Sequence, residues 1–207
     1  MPWPVATPPV ENHASFMARI TPFFAPSQVC MIDIGYMLAK HAHRAQVRKE
    51  IDANGDHVRY FEHVRRSTLI GLDLCQIIRF DTTIGLMFHD TVEDTHLTAL
   101  HIDVLYGPDI CRLVQAVSKV PPEGFVDRLL IWPDWRVFFC KGCDRLDNLR
   151  TLLDQPVEFR RKQVVETKDK YYRVFDRMVM LTPEEYRDGT RRLRDAIHEA
   201  AESIPIQ

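Results

Sequence analysis

A group of ionisable residues lies inside an apolar segment, LMFHDTVEDTHLTALH at positions 86–101. Buried charges are costly unless they are paired, protonated or bound to a metal. On a continuous helix, His89 and Glu93 share a face, as do Asp90 and Asp94, because residues four apart are neighbours. Three carboxylates this close repel one another unless a cation is present. The segment therefore predicts a divalent metal bound by His89 and Asp90.

A metal site needs more than two protein ligands, and two other segments offer them. His63 follows a loop at 50–59, which holds the turn signal Ala-Asn-Gly-Asp. Asp144, Asn148 and Thr151 form one polar stripe on an otherwise apolar predicted helix. Two imidazoles and two carboxylates suit manganese, iron or zinc, with water in the remaining positions. Taken singly, the same residues are also explained by a helix-end His-Asp pair, a loop histidine and a surface ion pair.

Composition narrows the class of protein. At 207 residues and 45% hydrophobic, the chain suits one domain with a full core. A net charge of -2 offers no overall basic surface, so nonspecific binding to nucleic acid is not expected. No apolar run reaches the roughly 18 residues of a membrane span, and the opening residues lack the features of a signal peptide. The sequence predicts a cytoplasmic protein bound to neither nucleic acid nor membrane, and it leaves the oligomeric state open.

The five cysteines are an odd number scattered through apolar segments, which favours reduced core thiols over a disulfide framework. Cys140 and Cys143 have the C-x-x-C spacing of a metal or redox pair. A second pair and a turn context are both missing from the sequence. We therefore interpret these two residues as packing thiols on a helix.

The periodicity of apolar residues is helical along most of the chain. The expected helices lie near 27–47, 63–79, 81–89, 98–107, 108–119, 124–131, 134–154, 157–180 and 183–203. No segment alternates with period two for long enough to require a sheet. Residues 1–12 hold four of the thirteen prolines and predict a flexible segment ahead of a single domain at 13–207. The fold class predicted is all-α.

Several stretches in a fixed order carry a family resemblance. They are AHRAQVRK at 42–49, YFEH at 60–63, HDTVEDT at 89–95, VLYGPDICRLVQAVSK at 104–119 and KGCDRLDNLRTL at 141–152. Together they resemble the HD-type hydrolase domain of the RelA/SpoT family, over roughly residues 25–180. Because no synthetase or regulatory segment follows, the chain resembles a stand-alone small alarmone hydrolase. The resemblance implies an HD-domain helical bundle.

The resemblance also implies a role for each matching residue. The metal ligands are matched by His63, His89, Asp90 and Asp144, and the acidic pair that positions or deprotonates the attacking water is matched by Glu93 and Asp94. Arg48 matches the residue that packs against the nucleobase, with Lys49 beside it, and the positions that line the nucleoside and phosphate pocket are matched by Asn148 and Thr151. The ligands of the distal phosphates resemble Lys168 and Tyr172. The implied cofactor is Mn²⁺, one per site, with Fe²⁺ or Zn²⁺ as alternatives. A planar guanidinium is well suited to stacking on a base.

The implied reaction is removal of the 3′-pyrophosphate of (p)ppGpp or (p)ppApp, which gives pyrophosphate and a 5′-phosphorylated nucleoside. The alternatives are an NADPH 2′-phosphatase, another HD-domain nucleotide phosphohydrolase, and a catalytically silent nucleotide-binding module. The sequence departs from the family beside the base pocket. Its 50–59 loop is longer than the usual Ser-Gly-Glu-Pro-Tyr turn and adds His57 as a rival ligand, and Val64 replaces the usual proline. The sequence thus leaves the substrate's base open.

Overall fold

The computed structural model describes residues 12–206, and their architecture is helical apart from one short hairpin. The predicted flexible segment 1–12 lies outside the described residues except for Asn12. The helices are α1 (His13–Ile20), α2 (Pro26–Ala42), α3 (Tyr60–Leu69), α4 (Phe80–Phe88), α5 (Thr91–Asp94), α6 (Ala99–Val117), α7 (Phe125–Ile131), α8 (Trp135–Arg150), α9 (Val157–Glu166), α10 (Tyr172–Leu181) and α11 (Glu184–Ser203). The strands are β1 (Val47–Ile51) and β2 (His57–Arg59). The predicted all-α class is confirmed.

Capping residues and glycine set several of the helix boundaries. The Asn12 side chain accepts a hydrogen bond from the Ser15 backbone N–H and so caps α1. Thr98 is the N-cap residue of α6. Gly107 has a φ of 82° and interrupts α6 at the point where the sequence predicts a helix end. Turns with π-helical geometry follow α3 at Ile70–Leu74 and α9 at Thr167–Tyr171.

The prediction that residues 50–59 form a loop without a sheet is wrong. β1 and β2 pair antiparallel, with Val47 opposite Arg59 and Ile51 opposite His57. The helix predicted at 27–47 ends at Ala42, and the hairpin occupies Val47 and the predicted loop. Its alternating residues are half-buried or exposed, so the strands lack the apolar alternation that marks a strand in sequence.

The predicted helix at 81–89 agrees with α4, but the continuous helix assumed for the pairs His89–Glu93 and Asp90–Asp94 does not form. α4 ends at Phe88 and α5 begins at Thr91, with His89 and Asp90 between the two helices. The Thr91 hydroxyl donates to the Phe88 carbonyl oxygen at 2.8 Å, and His89 Nδ1 bonds the Leu86 carbonyl oxygen at 2.7 Å. These side-chain hydrogen bonds occupy carbonyl oxygens that would otherwise accept backbone N–H groups from the next helical turn.

Helix α8 is the centre of the molecule, because most of its residues are buried on all sides. It packs against α3, α4, α6, α10 and α11. One apolar cluster lies around Phe138, Phe139 and Phe175, and a second lies around Tyr36 and Phe88. α8 thereby brings its polar stripe next to α3 and the end of α4.

The remaining structural predictions concern the thiols and the membrane. Cys140 and Cys143 are both buried on α8, and all five cysteines are free, in accord with packing thiols. No helix within 12–206 is long and apolar enough to cross a membrane.

Candidate active site

The four predicted metal ligands come together from α3, the α4–α5 junction and α8. His63 Nε2 lies 3.2 Å from His89 Nε2, 3.2 Å from Asp144 Oδ1 and 3.5 Å from Asp90 Oδ2. His89 Nε2 lies 3.0 Å from Asp90 Oδ2. The four ligand atoms lie within 4.8 Å of one another, and all four residues are buried. This set of two imidazole nitrogens and two carboxylate oxygens could hold a divalent metal ion.

Both histidines are oriented by hydrogen bonds on their Nδ1 atoms. His63 Nδ1 lies 2.7 Å from Asp147 Oδ2, and His89 Nδ1 lies 2.7 Å from the Leu86 carbonyl oxygen. A carboxylate and a carbonyl only accept, so each Nδ1 carries the proton and each Nε2 faces the other ligand atoms. The sequence interpretation missed Asp147. The sequence feature that points to Asp147 is its position three residues after Asp144, which puts both side chains on the same face of the helix.

Two other residues of α8 also hold the Asp144 carboxylate in place. Lys141 Nζ lies 2.6 Å from Asp144 Oδ2, and the Asn148 side-chain amide donates to Asp144 Oδ1. Lys141 is only 4% exposed, and the sequence interpretation missed it because a lysine on an apolar helix does not by itself indicate a partner. The ammonium leaves Oδ1 as the oxygen that faces the two histidines.

The electrostatics of the cluster favour a cation. Burial acts to raise the pKa of Asp90, but the His89 charge and hydrogen bonds with His63 and His89 hold that pKa well below its ordinary value. Burial likewise acts against the ionised form of Asp144, whose pKa the Lys141 charge and the His63 bond nevertheless keep well below normal. Burial acts to lower the pKa of His63, but hydrogen bonds with Asp144, Asp147 and Asp90 raise it to about 10. A bound divalent ion would take the place of that imidazole proton.

The predicted acidic pair lies on α5, beside the cluster. The Tyr60 hydroxyl lies 2.7 Å from Asp90 Oδ2 and 3.2 Å from Asp94 Oδ2 and so bridges the two carboxylates. Glu93 is exposed, and its Oε2 accepts from the Lys119 backbone N–H at 2.8 Å. Partial burial and repulsion from Asp90 and Glu93 raise the pKa of Asp94. Such a carboxylate accepts a proton more readily than an ordinary aspartate does.

The structure brings Arg48 to the polar stripe of α8. Its guanidinium donates to Asn148 Oδ1 at 2.8 Å and to Thr151 Oγ1 at 3.2 Å. The same group lies 5.9 Å from the centre of the Tyr60 ring. Lys49 is exposed, with Nζ 4.4 Å from the centre of the Phe159 ring on α9. Three of the predicted substrate-binding residues therefore contact one another directly.

The predicted phosphate ligands Lys168, in the turn at Thr167–Tyr171, and Tyr172, on α10, both contact α11. Lys168 Nζ lies 2.8 Å from Glu202 Oε2, and the Tyr172 ring stacks on His198 with centroids 3.8 Å apart. Their role with phosphates stays a prediction. His57, the rival ligand, bonds the Arg48 carbonyl oxygen through Nδ1 and is not a member of the four-residue group.

No protein-family model matches the chain. A GTP pyrophosphokinase of Brucella melitensis is 33% identical over 163 residues, which cover 72% of this chain and 20% of that protein. A bifunctional (p)ppGpp synthase/hydrolase, SpoT, of Escherichia coli is 25% identical over 165 residues, which cover 73% of this chain and 22% of that protein. A solved structure, described as a metazoan ortholog of SpoT that hydrolyzes ppGpp, has a TM-score of 0.65 at 23% identity and covers 85% of this chain and 97% of its own.

The helical fold and its buried pair of histidines and aspartates define an HD-type domain with a candidate metal centre. The relatives place it more closely: the chain belongs to the RelA/SpoT family. It spans about a fifth of the length of the curated relatives that it matches.

Proposed function

We propose that this protein is a metal-dependent hydrolase that removes the 3′-pyrophosphate of (p)ppGpp or (p)ppApp. The observation that carries the proposal is the buried four-ligand cluster, which lies beside Arg48 and the polar stripe of α8. The names of the relatives support it, since one is a (p)ppGpp synthase/hydrolase and another is a guanosine-3′,5′-bis(diphosphate) 3′-pyrophosphohydrolase, both of Escherichia coli. The proposed partner is a small nucleotide.

The donor set fits the metal that this activity requires. His63, His89, Asp90 and Asp144 would hold one Mn²⁺, and the same nitrogen and oxygen donors also suit Fe²⁺ or Zn²⁺. When bound, such an ion lowers the pKa of a coordinated water and polarises a phosphoryl oxygen. The hydrogen bonds to both Nδ1 atoms keep the ligand nitrogens aimed at one point.

The residues around the ligands supply acid–base chemistry. We assign Asp94 as the group that accepts the proton of the attacking water, with Glu93 orienting that water. The water oxygen forms a bond to the phosphorus on the ribose 3′ oxygen as the bond between that phosphorus and the 3′ oxygen breaks. The proton then reaches the 3′ oxygen, and pyrophosphate leaves.

Cationic and polar side chains bind the rest of the nucleotide in this proposal. Arg48 packs its guanidinium against the base, while Asn148 and Thr151 line the nucleoside and phosphate pocket. Lys49 lies next to Arg48 and offsets phosphate charge. Lys168 and Tyr172 are assigned to the distal phosphates on the family resemblance alone.

We also propose that residues 13–207 act as one domain. The support for this is that α8 packs against α4 and α6 as well as α10 and α11.

The proposed activity is tested by a product assay with Mn²⁺ and the substrates ppGpp, ppApp and NADPH offered separately. We expect pyrophosphate from ppGpp, ppApp or both, and the preferred substrate identifies the base. Release of orthophosphate from NADPH alone would support the metal site but would show that the substrate is not an alarmone. No product from any of the three would contradict the proposal.

A further inference from the structure

A path of hydrogen bonds leads from the candidate metal centre to the hairpin. His63 Nδ1 lies 2.7 Å from Asp147 Oδ2, and Arg66 Nε donates to Asp147 Oδ1 at 2.7 Å. The other end of the same guanidinium donates to Glu50 Oε2 on β1 at 2.8 Å. We call this series of four residues the Glu50 path.

A second path joins the hairpin to another ligand. Arg48, also on β1, donates to Asn148 Oδ1, and the Asn148 amide donates to Asp144 Oδ1. We call these three residues the Arg48 path. Glu50 Oε2 lies 3.8 Å from Arg48 Nε, so the two paths meet on the strand. Two of the four metal ligands are thus tied to one short element by charged or amide groups.

The Glu50 path is built of charges that depend on one another. Asp147 is 1% exposed, and a carboxylate so deeply buried is stable only with a bonded cation. Arg66 is that cation, and its guanidinium is shared with Glu50 on the hairpin. Movement of β1 would remove a partner of Arg66, and Asp147 would then hold His63 less firmly.

We propose that metal binding and hairpin order are coupled through these two paths, with Asp147 as the positioning residue for His63. A metal ion on His63 and Asp144 fixes the inner ends of both paths and thereby orders β1 and β2. Linkage makes the effect reciprocal, so loosening the hairpin weakens metal binding. The inference rests on the metal site of the proposed function, but its test needs no nucleotide.

The first test is amide hydrogen exchange of the full chain with and without Mn²⁺. We expect Mn²⁺ to slow exchange in residues 47–59. The internal control is α11, which lies outside both paths and should exchange at the same rate in both conditions. Equal exchange of 47–59 with and without Mn²⁺, under conditions where Mn²⁺ binds, would overturn the coupling.

The second test breaks the outer end of the Glu50 path. Glu50→Gln keeps the size of the side chain and removes the charge that Arg66 uses. We expect Mn²⁺ affinity, measured from the electron paramagnetic resonance signal of free Mn²⁺, to fall roughly 2- to 30-fold, as for residues that modulate coupling. The matched control is Asp56→Asn, an exposed carboxylate in the same hairpin, which should bind like wild type. Wild-type affinity in Glu50→Gln would count against the proposal.

The third test addresses the positioning residue directly. Asp147→Asn should weaken Mn²⁺ binding about 10- to 100-fold, which is the usual effect of losing a group that orients a metal-bound histidine. Asp154→Asn, an exposed carboxylate just after α8, is its control. If Asp147→Asn does not fold, the wild-type exchange experiment and Glu50→Gln still decide the matter.

The outcomes separate this inference from the proposed function. Mn²⁺ binding with hairpin protection, but without hydrolysis of any nucleotide, would support the coupling and contradict only the proposed reaction. Failure of the wild-type protein to bind Mn²⁺ would overturn both.

Discussion

At the scale of single residues, the contacts of Tyr60 are those of a residue that positions Asp94. The four metal ligands alone do not suggest this role. Its hydroxyl bridges Asp90 and Asp94, and its ring stacks on His43 with centroids 4.8 Å apart. The His43 side chain in turn contacts Gln46, whose amide donates to the Asp94 carbonyl oxygen. These contacts hold the proposed base next to a metal ligand.

Tyr60→Phe should lower kcat roughly 10- to 100-fold, because a hydrogen bond to a charged group is typically worth about 1.5–3 kcal/mol. The Tyr60 hydrogen bond acts to lower the pKa of Asp94, so its loss raises that pKa further. Asp94 must be ionised to accept a proton, and the acid limb of the pH profile of kcat/KM should therefore move to higher pH. The control is Tyr106→Phe, which loses a hydroxyl that donates to the Met31 carbonyl oxygen. An unmoved acid limb in Tyr60→Phe would argue against Asp94 as the base.

The sequence identifies a site residue when its own type and position indicate a function, and it misses a residue whose function depends on a distant partner. The four ligands are of residue types that bind metals, and they lie in or beside apolar segments, where burying an unpaired polar group would be unfavourable. Asp147 and Lys141 are identified only by their partners, and His63, the partner of Asp147, lies 84 positions away in the sequence. Such a partnership exists only once α3 and α8 have packed together.

At the scale of elements, the prediction of a loop at 50–59 failed because tertiary contacts override local pattern. The hairpin strands VRKEI and HVR are rich in charge, and their stabilising partners lie on other elements rather than in a buried face. The helix predicted at 81–89 matches α4 to within one residue, and side-chain hydrogen bonds to its last carbonyl oxygens end it there. The helix predicted at 183–203 matches α11, which is strongly amphipathic, whereas the helix predicted at 157–180 is interrupted by the π-helical turn between α9 and α10.

Packing of α11 against the end of the Ile70–Leu74 turn depends on Gly189. A Cβ added there would overlap the Cys75 carbonyl oxygen and would lie 2.9 Å from Ile77 Cγ1. Gly189→Ala should therefore destabilise the protein by about 1–3 kcal/mol, despite the better helix propensity of alanine. Urea unfolding measures this, with Asp188→Ala on the exposed face of α11 as the control. Equal stability of Gly189→Ala and wild type would mean that α11 can shift away without cost.

At the scale of the whole molecule, an ion-pair network joins α4, α6 and α8. Arg136 on α8 lies 2.7 Å from Asp81 on α4 and 2.6 Å from Asp109 on α6. Arg79 pairs with the same Asp81 at 2.6 Å. The helical periodicity predicts that these elements exist, but their mutual packing follows from side-chain shape and charge that no single segment contains.

This network predicts acid sensitivity. Burial acts to raise the pKa of Asp81, but hydrogen bonds from Arg79 and Arg136 lower it below its ordinary value. The folded-state pKa is thus below the unfolded one, so the stabilisation is complete above the unfolded pKa of about 4 and is lost as pH falls below it. Asp81→Asn should lower Tm at pH 7 and lose less further stability than wild type between pH 5 and pH 3. Parallel Tm curves for the two proteins would show that Asp81 does not contribute to the acid transition.

The proposal that the four-ligand cluster performs metal-dependent hydrolysis of an alarmone is tested by following activity and metal binding in the same variants. Pyrophosphate release from ppGpp and bound Mn²⁺ are measured together for wild type, His89→Ala and the control His41→Ala, an exposed histidine on α2. We predict that His89→Ala loses both the bound metal and at least about 100-fold of the turnover, while His41→Ala keeps both. Turnover and metal content unchanged in His89→Ala would contradict the claim.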